Sequence, residues 1–148
     1  MSNESPISIT PVTWAEAKDA LMFIRETVFM REQGVPVELE WDGLDEDCVH
    51  VLARCDGQPI GTARLLADGH IGRMSVLPAW RGRGVGSAML QRLIEIAQQR
   101  GLPRVILDAQ THAIPFYARH GFTIASDVFM DAGMPHQTML REFTHADR

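Results

Sequence analysis

The sequence predicts an α/β chain of the α+β kind, with helices flanking a mixed, mostly antiparallel twisted sheet. Three observations predict it. Apolar residues recur at three- and four-residue steps from Trp14 to about Met30 and again from Val85 to Ala97, the period of helices that bury one face. From Cys48 to Val76 the period changes to two, in runs broken by the turn signals Asp56-Gly57-Gln58-Pro59 and Asp68-Gly69. Val105-Ile106-Leu107 is wholly apolar, as expected of a central strand. At 148 residues, 45% hydrophobic and 22% charged, residues 1–148 have the size and mix of a single domain.

Each element has its own signal. Ser8-Ile9-Thr10 is a short edge strand, and Thr13-Trp14-Ala15-Glu16 is a capping box that starts the first helix. Trp14, Ala17, Leu21, Ile24 and Val28 form its core face, and Gly34-Val35-Pro36 ends it. The stretch from Val37 to Asp47 carries six acids and no base, and is expected to be a solvated loop or short helix. The alternative is that some of these carboxylates line a binding site and favour a cation. A three-strand meander follows, with Cys48–Ala53 buried on both faces, Ile60–Leu66 returning, and His70–Val76 last. The helix from Val85 ends at Gly101, with Pro103 beyond it as a stop. Thr111 to Phe122 is a short helix closed at Gly121, and Phe129 and Met139–Phe143 mark two final strands joined through Asp131–His136.

Composition narrows the function classes. The net charge is −5, which disfavours non-specific attraction to nucleic acid or to an anionic membrane surface, so neither is an expected partner. No apolar run approaches the ~20 residues that span a bilayer, and a soluble cytoplasmic protein is the expectation. Cys48 and Cys55 fall at the two ends of one strand, ~23 Å apart at ~3.3 Å per residue, too far for a disulfide. Neither they nor the six histidines show metal-ligand spacing, and no metal is expected.

The chemistry concentrates after Val76. In Trp80-Arg81-Gly82-Arg83-Gly84-Val85-Gly86-Ser87, glycines allow close approach of a ligand, and the first turn of the following helix offers unpartnered N–H groups. Such groups bind phosphate, and Arg81 and Arg83 add guanidinium charge. There is no Lys-Ser or Lys-Thr after the last glycine, as a P-loop requires. Glycines at 82, 84 and 86 do not fit the G-x-G-x-x-G dinucleotide pattern either.

Arg81, Gly84 and Gly86, in the spacing R-x-x-G-x-G, resemble the pyrophosphate-binding signature of the GCN5-related N-acetyltransferase (GNAT) family. Phe116-Tyr117 with Gly121-Phe122 is similar to that family's F-Y-x-x-x-G-F motif, and the order of elements matches along nearly the whole chain. The resemblance implies a sheet with two splayed strands, acetyl-CoA as co-substrate and a small-molecule amine as acceptor. It also implies that the backbone of Met74, Ser75 and Val76 faces the pantetheine arm, and that N–H groups from Arg81, Gly82, Arg83, Gly84, Val85, Gly86 and Ser87 hold the pyrophosphate. Tyr117, the single tyrosine, stands where the family places a general acid near the CoA sulfur.

An amine must lose a proton to attack a thioester, and an imidazole titrates where a general base is useful. His136 lies in Pro135-His136-Gln137-Thr138-Met139, similar to the P-H-x-x-M element of a branch that includes glyphosate N-acetyltransferases, in which this His is the base. Arg73 resembles an acceptor-binding arginine of that branch, whereas Gln110 and Asp108 depart from the family's residues. His120 reads as a helix-end residue and His50 as a core-strand residue. A homodimer is compatible with the resemblance, since dimers are common in the family.

Two rival readings follow from the same residues. One is a non-catalytic acyl-CoA-binding regulatory module, which would need neither Tyr117 nor His136. The other rests on Arg25, Val28-Phe29, Glu32, Asp42 and Asp45, whose spacing is similar to acyl-homoserine-lactone synthases.

Overall fold

The computed structural model describes residues 6–144. Four strands, β1 (Ile7–Val12), β2 (Val49–Cys55), β3 (Gln58–Leu65) and β4 (Ile71–Val76), pair antiparallel in chain order as one sheet. A second sheet forms around the last strand, β8 (Met134–Glu142). One edge of β8 pairs along its length with β5 (Arg104–Gln110), and the other carries the short strands β6 (Thr123–Ile124) and β7 (Phe129–Asp131). Strand β2 is buried on both faces, as expected, with Val51, Leu52 and Ala53 fully buried. Sequence reasoning anticipated two terminal strands; the two-residue β6 was too short to leave a period-2 signal.

The two sheets touch through one parallel bridge, His70 opposite Ile106, where the Ile106 N–H donates to the Gly69 carbonyl at 3.0 Å. Gly69 is required there. Its φ is +99°, and a Cβ would stand 2.6 Å from the Arg104 carbonyl oxygen. No further pairing joins β4 to β5 among the described residues, so their facing edges are splayed.

Helix α1 (Trp14–Arg25) starts at the expected capping box, with the Thr13 side chain accepting from the Glu16 N–H and Glu16 accepting from the Thr13 N–H. It does not continue regularly to Met30. Residues Glu26–Glu32 wind as a π-helix, marked by the i−5 bond from Gln33 N–H to the Val28 carbonyl. The wider turn sets the adjacent Val28 and Phe29 both against the same cleft. A one-turn helix, α2 (Val37–Glu40), begins the acidic stretch. That stretch is not simply solvated: Glu40 is 2% exposed and Asp45 5%.

Helix α3 (Val85–Gln99) buries Val85, Met89, Leu90, Leu93, Ile94 and Ala97 against residues of both sheets, including Ala63, Leu65, Val105 and Met139. Each large aliphatic so buried contributes roughly 1.5–3 kcal/mol. The other face of the first sheet is covered by Ala17, Leu21 and Ile24 of α1, packed on Val12, Leu52 and Leu77. Helix α4 (Ile114–Ala118) follows β5. Cys48 and Cys55 are buried and form no disulfide.

Candidate acyl-transfer cleft

A cleft of about 670 Å³ opens between the two sheets. One wall is formed by the π-helical segment and α2, the floor by Arg73–Val76 of β4, and the opposite wall by β5, α4 and β8. The glycine-rich cradle closes one end, with Val76, Arg81, Gly84, Val85, Gly86 and Ser87 around a smaller depression.

The cradle suits an anion. Gly84, at the N-cap of α3, has φ +81° and places no side chain over the first turn, whose N–H groups have no side-chain cap and no acidic neighbour in that turn. A Cβ at Gly82 or Gly84 would meet nothing within 4 Å, so the approach is open. The two arginines are placed differently from the simplest expectation. The Arg81 guanidinium makes a two-pronged ion pair with Glu32 of the π-helical segment, and its Nε donates to the Val76 carbonyl at 3.0 Å. The Arg83 guanidinium lies over the Trp80 ring at 4.9 Å. Ser87 Oγ shares a hydrogen bond with His120 Nε2 at 3.1 Å, pinning the end of α4 to the cradle.

Tyr117 projects from α4 into the cleft. Its ring packs edge-on against Phe116 and Phe122, with centroids at 5.1 and 6.0 Å, and its hydroxyl lies 4.0 Å from the Met74 sulfur. Burial pushes the phenol up to about 12, so the hydroxyl holds its proton at neutral pH. His136 lies in β8 itself, not in a turn, flanked by Gln110 of β5 and Phe129 of β7. It is 7% exposed, stacked on Phe129 at 5.9 Å, and its Nδ1 is 2.8 Å from the Met134 carbonyl. A carbonyl only accepts, so Nδ1 is the donor of this bond, which in the neutral ring leaves the lone pair on Nε2.

The other residues singled out in the sequence are also placed. Asp108 accepts from the Thr138 hydroxyl at 2.8 Å, and Gln110 donates to Gln33 at 3.2 Å, linking β5 to the opposite wall. His112 lines the cleft. His50, 1% exposed, donates to the Asp45 carbonyl at 2.9 Å.

What sequence reasoning missed is a network of three arginines and three acids behind the acidic stretch. Arg25, fully buried, donates from Nε to Glu40 at 2.6 Å and from Nη1 to Asp45 at 2.7 Å, with Trp41 under its guanidinium at 4.8 Å. Arg64 donates to both Asp42 and Asp45, and its hydrogen bonds hold the Asp42 carboxyl well below the ordinary 3.8. Arg73 donates from Nη2 to the carbonyls of Leu39 and Glu40 and to Asp42. Arg25, Asp42 and Asp45, which suggested a lactone synthase by spacing, are thus members of one ion-pair network. The signal available was the excess of acids itself, which needed buried cations from elsewhere in the chain.

No cluster of three or more metal-ligating side chains occurs among the described residues, and no helix there is long and apolar enough to cross a membrane.

Known proteins share this architecture. The model of the Acetyltransferase (GNAT) family matches residues 14–122. YjcF of Bacillus subtilis, an uncharacterized N-acetyltransferase, is 38% identical over 131 residues, covering 86% of this chain and 93% of that protein. An acyl-CoA N-acyltransferase from Pseudomonas aeruginosa superposes with a TM-score of 0.82 at 33% identity, covering 92% of this chain and 99% of its own. Escherichia coli ElaA superposes with a TM-score of 0.84 at 29% identity, over 93% of this chain and all of its own. Together these matches establish that the chain belongs to the Acetyltransferase (GNAT) family of acyl-transferring enzymes.

Proposed function

We propose that this chain transfers the acetyl group of acetyl-CoA to the amine of a small molecule by direct attack, with His136 as general base and Tyr117 as general acid. In this reading the backbone of Arg81–Ser87 holds the pyrophosphate, and the free edge of Met74, Ser75 and Val76 faces the pantetheine arm. Acetyl-CoA supplies the activated acyl carbon; the protein supplies proton transfer and alignment. His136 Nε2 takes the proton that the attacking amine gives up. Tyr117 donates its hydroxyl proton to the departing sulfur, a role for which its raised pKa keeps it charged with a proton.

The observation that carries this reading is one cleft lined by His136, its Nδ1 bonded to the Met134 carbonyl, and by the buried Tyr117, with an uncapped helix N-terminus at its end. The Pro135-His136-Gln137-Thr138-Met139 element, similar to the glyphosate-type branch, supports His136 as the base. Calorimetry with acetyl-CoA, followed by thiol release against an amine panel, tests the proposal. Micromolar binding and turnover with at least one amine are expected. Failure to bind any acyl-CoA would reject it, and binding without turnover on any amine would favour a regulatory acyl-CoA-binding module.

A further inference from the structure

Strand β4 is irregular where it floors the cleft. Thr62 pairs with Ser75 and Arg64 with Gly72, so Ala63 stands opposite two residues, Arg73 and Met74. Such a bulge removes backbone groups from the ladder and re-aims them. Its first residue is Arg73, at φ +52°, a region L-residues enter at a cost. Asp56 and Ala132, the other non-glycine residues described there, each precede a glycine in a two-residue hairpin turn, where that conformation is the norm. Arg73 alone of the three lies inside a strand.

A strained residue persists when its surroundings over-determine it. Those of Arg73 do. Nη2 donates to the carbonyls of Leu39 and Glu40 at 3.1 Å each and to Asp42 at 3.3 Å, and Nε lies 3.2 Å from Glu40 Oε2. The Ser75 hydroxyl donates to the Arg73 carbonyl at 3.1 Å, bracing the other end. Glu40 is itself fixed by the buried Arg25. Three guanidinium groups, Arg25, Arg64 and Arg73, thus face three carboxylates, Glu40, Asp42 and Asp45. An anionic acceptor reaching for Arg73 would have to displace Glu40 and Asp42 from it.

We infer that Arg73 is a positioning residue: its guanidinium, anchored on α2 and Asp42, holds the β4 bulge and so aims the Met74 backbone into the reacting end of the cleft. The inference rests on the acetyl-transfer reading and replaces, for Arg73, a direct contact with the acceptor. Met74 is placed to act there, since its sulfur is 4.0 Å from the Tyr117 hydroxyl and its backbone is left out of the β3 ladder. An N–H group aimed where negative charge develops lowers the barrier without contacting the acceptor.

Arg73→Ala and Arg73→Gly separate the two roles, because glycine adopts the left-handed backbone without an anchor and alanine does not. With whichever amine the panel identifies, Arg73→Ala is expected to lower kcat about tenfold or more, as a misaligned site does. Arg73→Gly should stay within about threefold of the parent, and acceptor KM should hardly move in either variant. Equal losses in both variants, in kcat or in acceptor KM, would overturn the inference, as would an unchanged Arg73→Ala. Should Arg73→Ala fail to fold, amide NMR of the parent and Arg73→Gly supplies the test. The Met74 N–H resonance is expected to differ between the CoA and acetyl-CoA complexes in both proteins, and no difference in either would overturn it. This second readout needs no turnover, so a protein that binds acetyl-CoA but acetylates nothing would reject the transferase reading while the bulge is still tested.

Discussion

The two walls of the cleft are built from different physics. The wall made by α1, the π-helical segment and α2 is held together by the ion pairs of Arg25 with Glu40 and Asp45, and is tied to the sheet by Arg64 of β3 and Arg73 of β4. The wall made by β5, α4 and β8 is held by an unbroken antiparallel ladder, Arg104 opposite Glu142 through Gln110 opposite His136. The first positions charge through side chains, and the second positions its chemistry through backbone. A side-chain anchor fails all at once when one partner is lost, whereas a ladder keeps its register when a single side chain is trimmed.

The sharpest way to break that contrast is Arg25→Ala, which leaves Glu40 and Asp45 short of a buried cation. It is expected to destabilise the protein by about 3–5 kcal/mol, read as a lowered urea midpoint. On the ladder wall the expected loss is catalytic. Tyr117→Phe should cut turnover about 100-fold with acetyl-CoA affinity unchanged by calorimetry, and His136→Ala should flatten the acidic arm of the pH–rate profile, where protonation of the base slows the parent. An unchanged rate would remove either residue from its role. Gly69→Ala acts where the walls meet, through a clash with the Arg104 carbonyl and a φ of +99°. A cost of about 2 kcal/mol is expected in the same unfolding experiment.

The smallest effect concerns acid. Arg64 holds the Asp42 carboxyl below its ordinary value, so the unfolded chain takes up that proton first as pH falls. The stability from this pair is therefore fully present above pH ~5 and is lost as pH drops further, by about 1–2 kcal/mol. Asp42→Asn should weaken that pH dependence of the unfolding midpoint.

What could be read in advance follows the same division. The capping box at Thr13, the meander, the cradle before Val85 and the Tyr117 motif are local patterns, and local patterns survive in a linear string. His136 was singled out by its flanking residues, although it lies within the strand Met134–Glu142 and not in the connection expected from Asp131 to His136. The ion-pair wall was not legible, because nothing in the acidic stretch says that Arg25, Arg64 and Arg73 fold against it. The π-helical turn at Glu26–Glu32 was equally hidden, since Val28 fits a regular helix as well. Arg81 was drawn toward the cradle by its position beside Gly82, while its guanidinium is spent on Glu32, a partner 49 residues away.

The single bridge at His70 and Ile106 has a further consequence. Beyond it β4 and β5 each present a strand edge, the feature through which β-proteins stick to one another. Here the two edges face each other across a narrow opening, backed by α3 on one side and screened by the cleft walls on the other. Among the described residues neither edge pairs the other's N–H and C=O groups beyond the bridge.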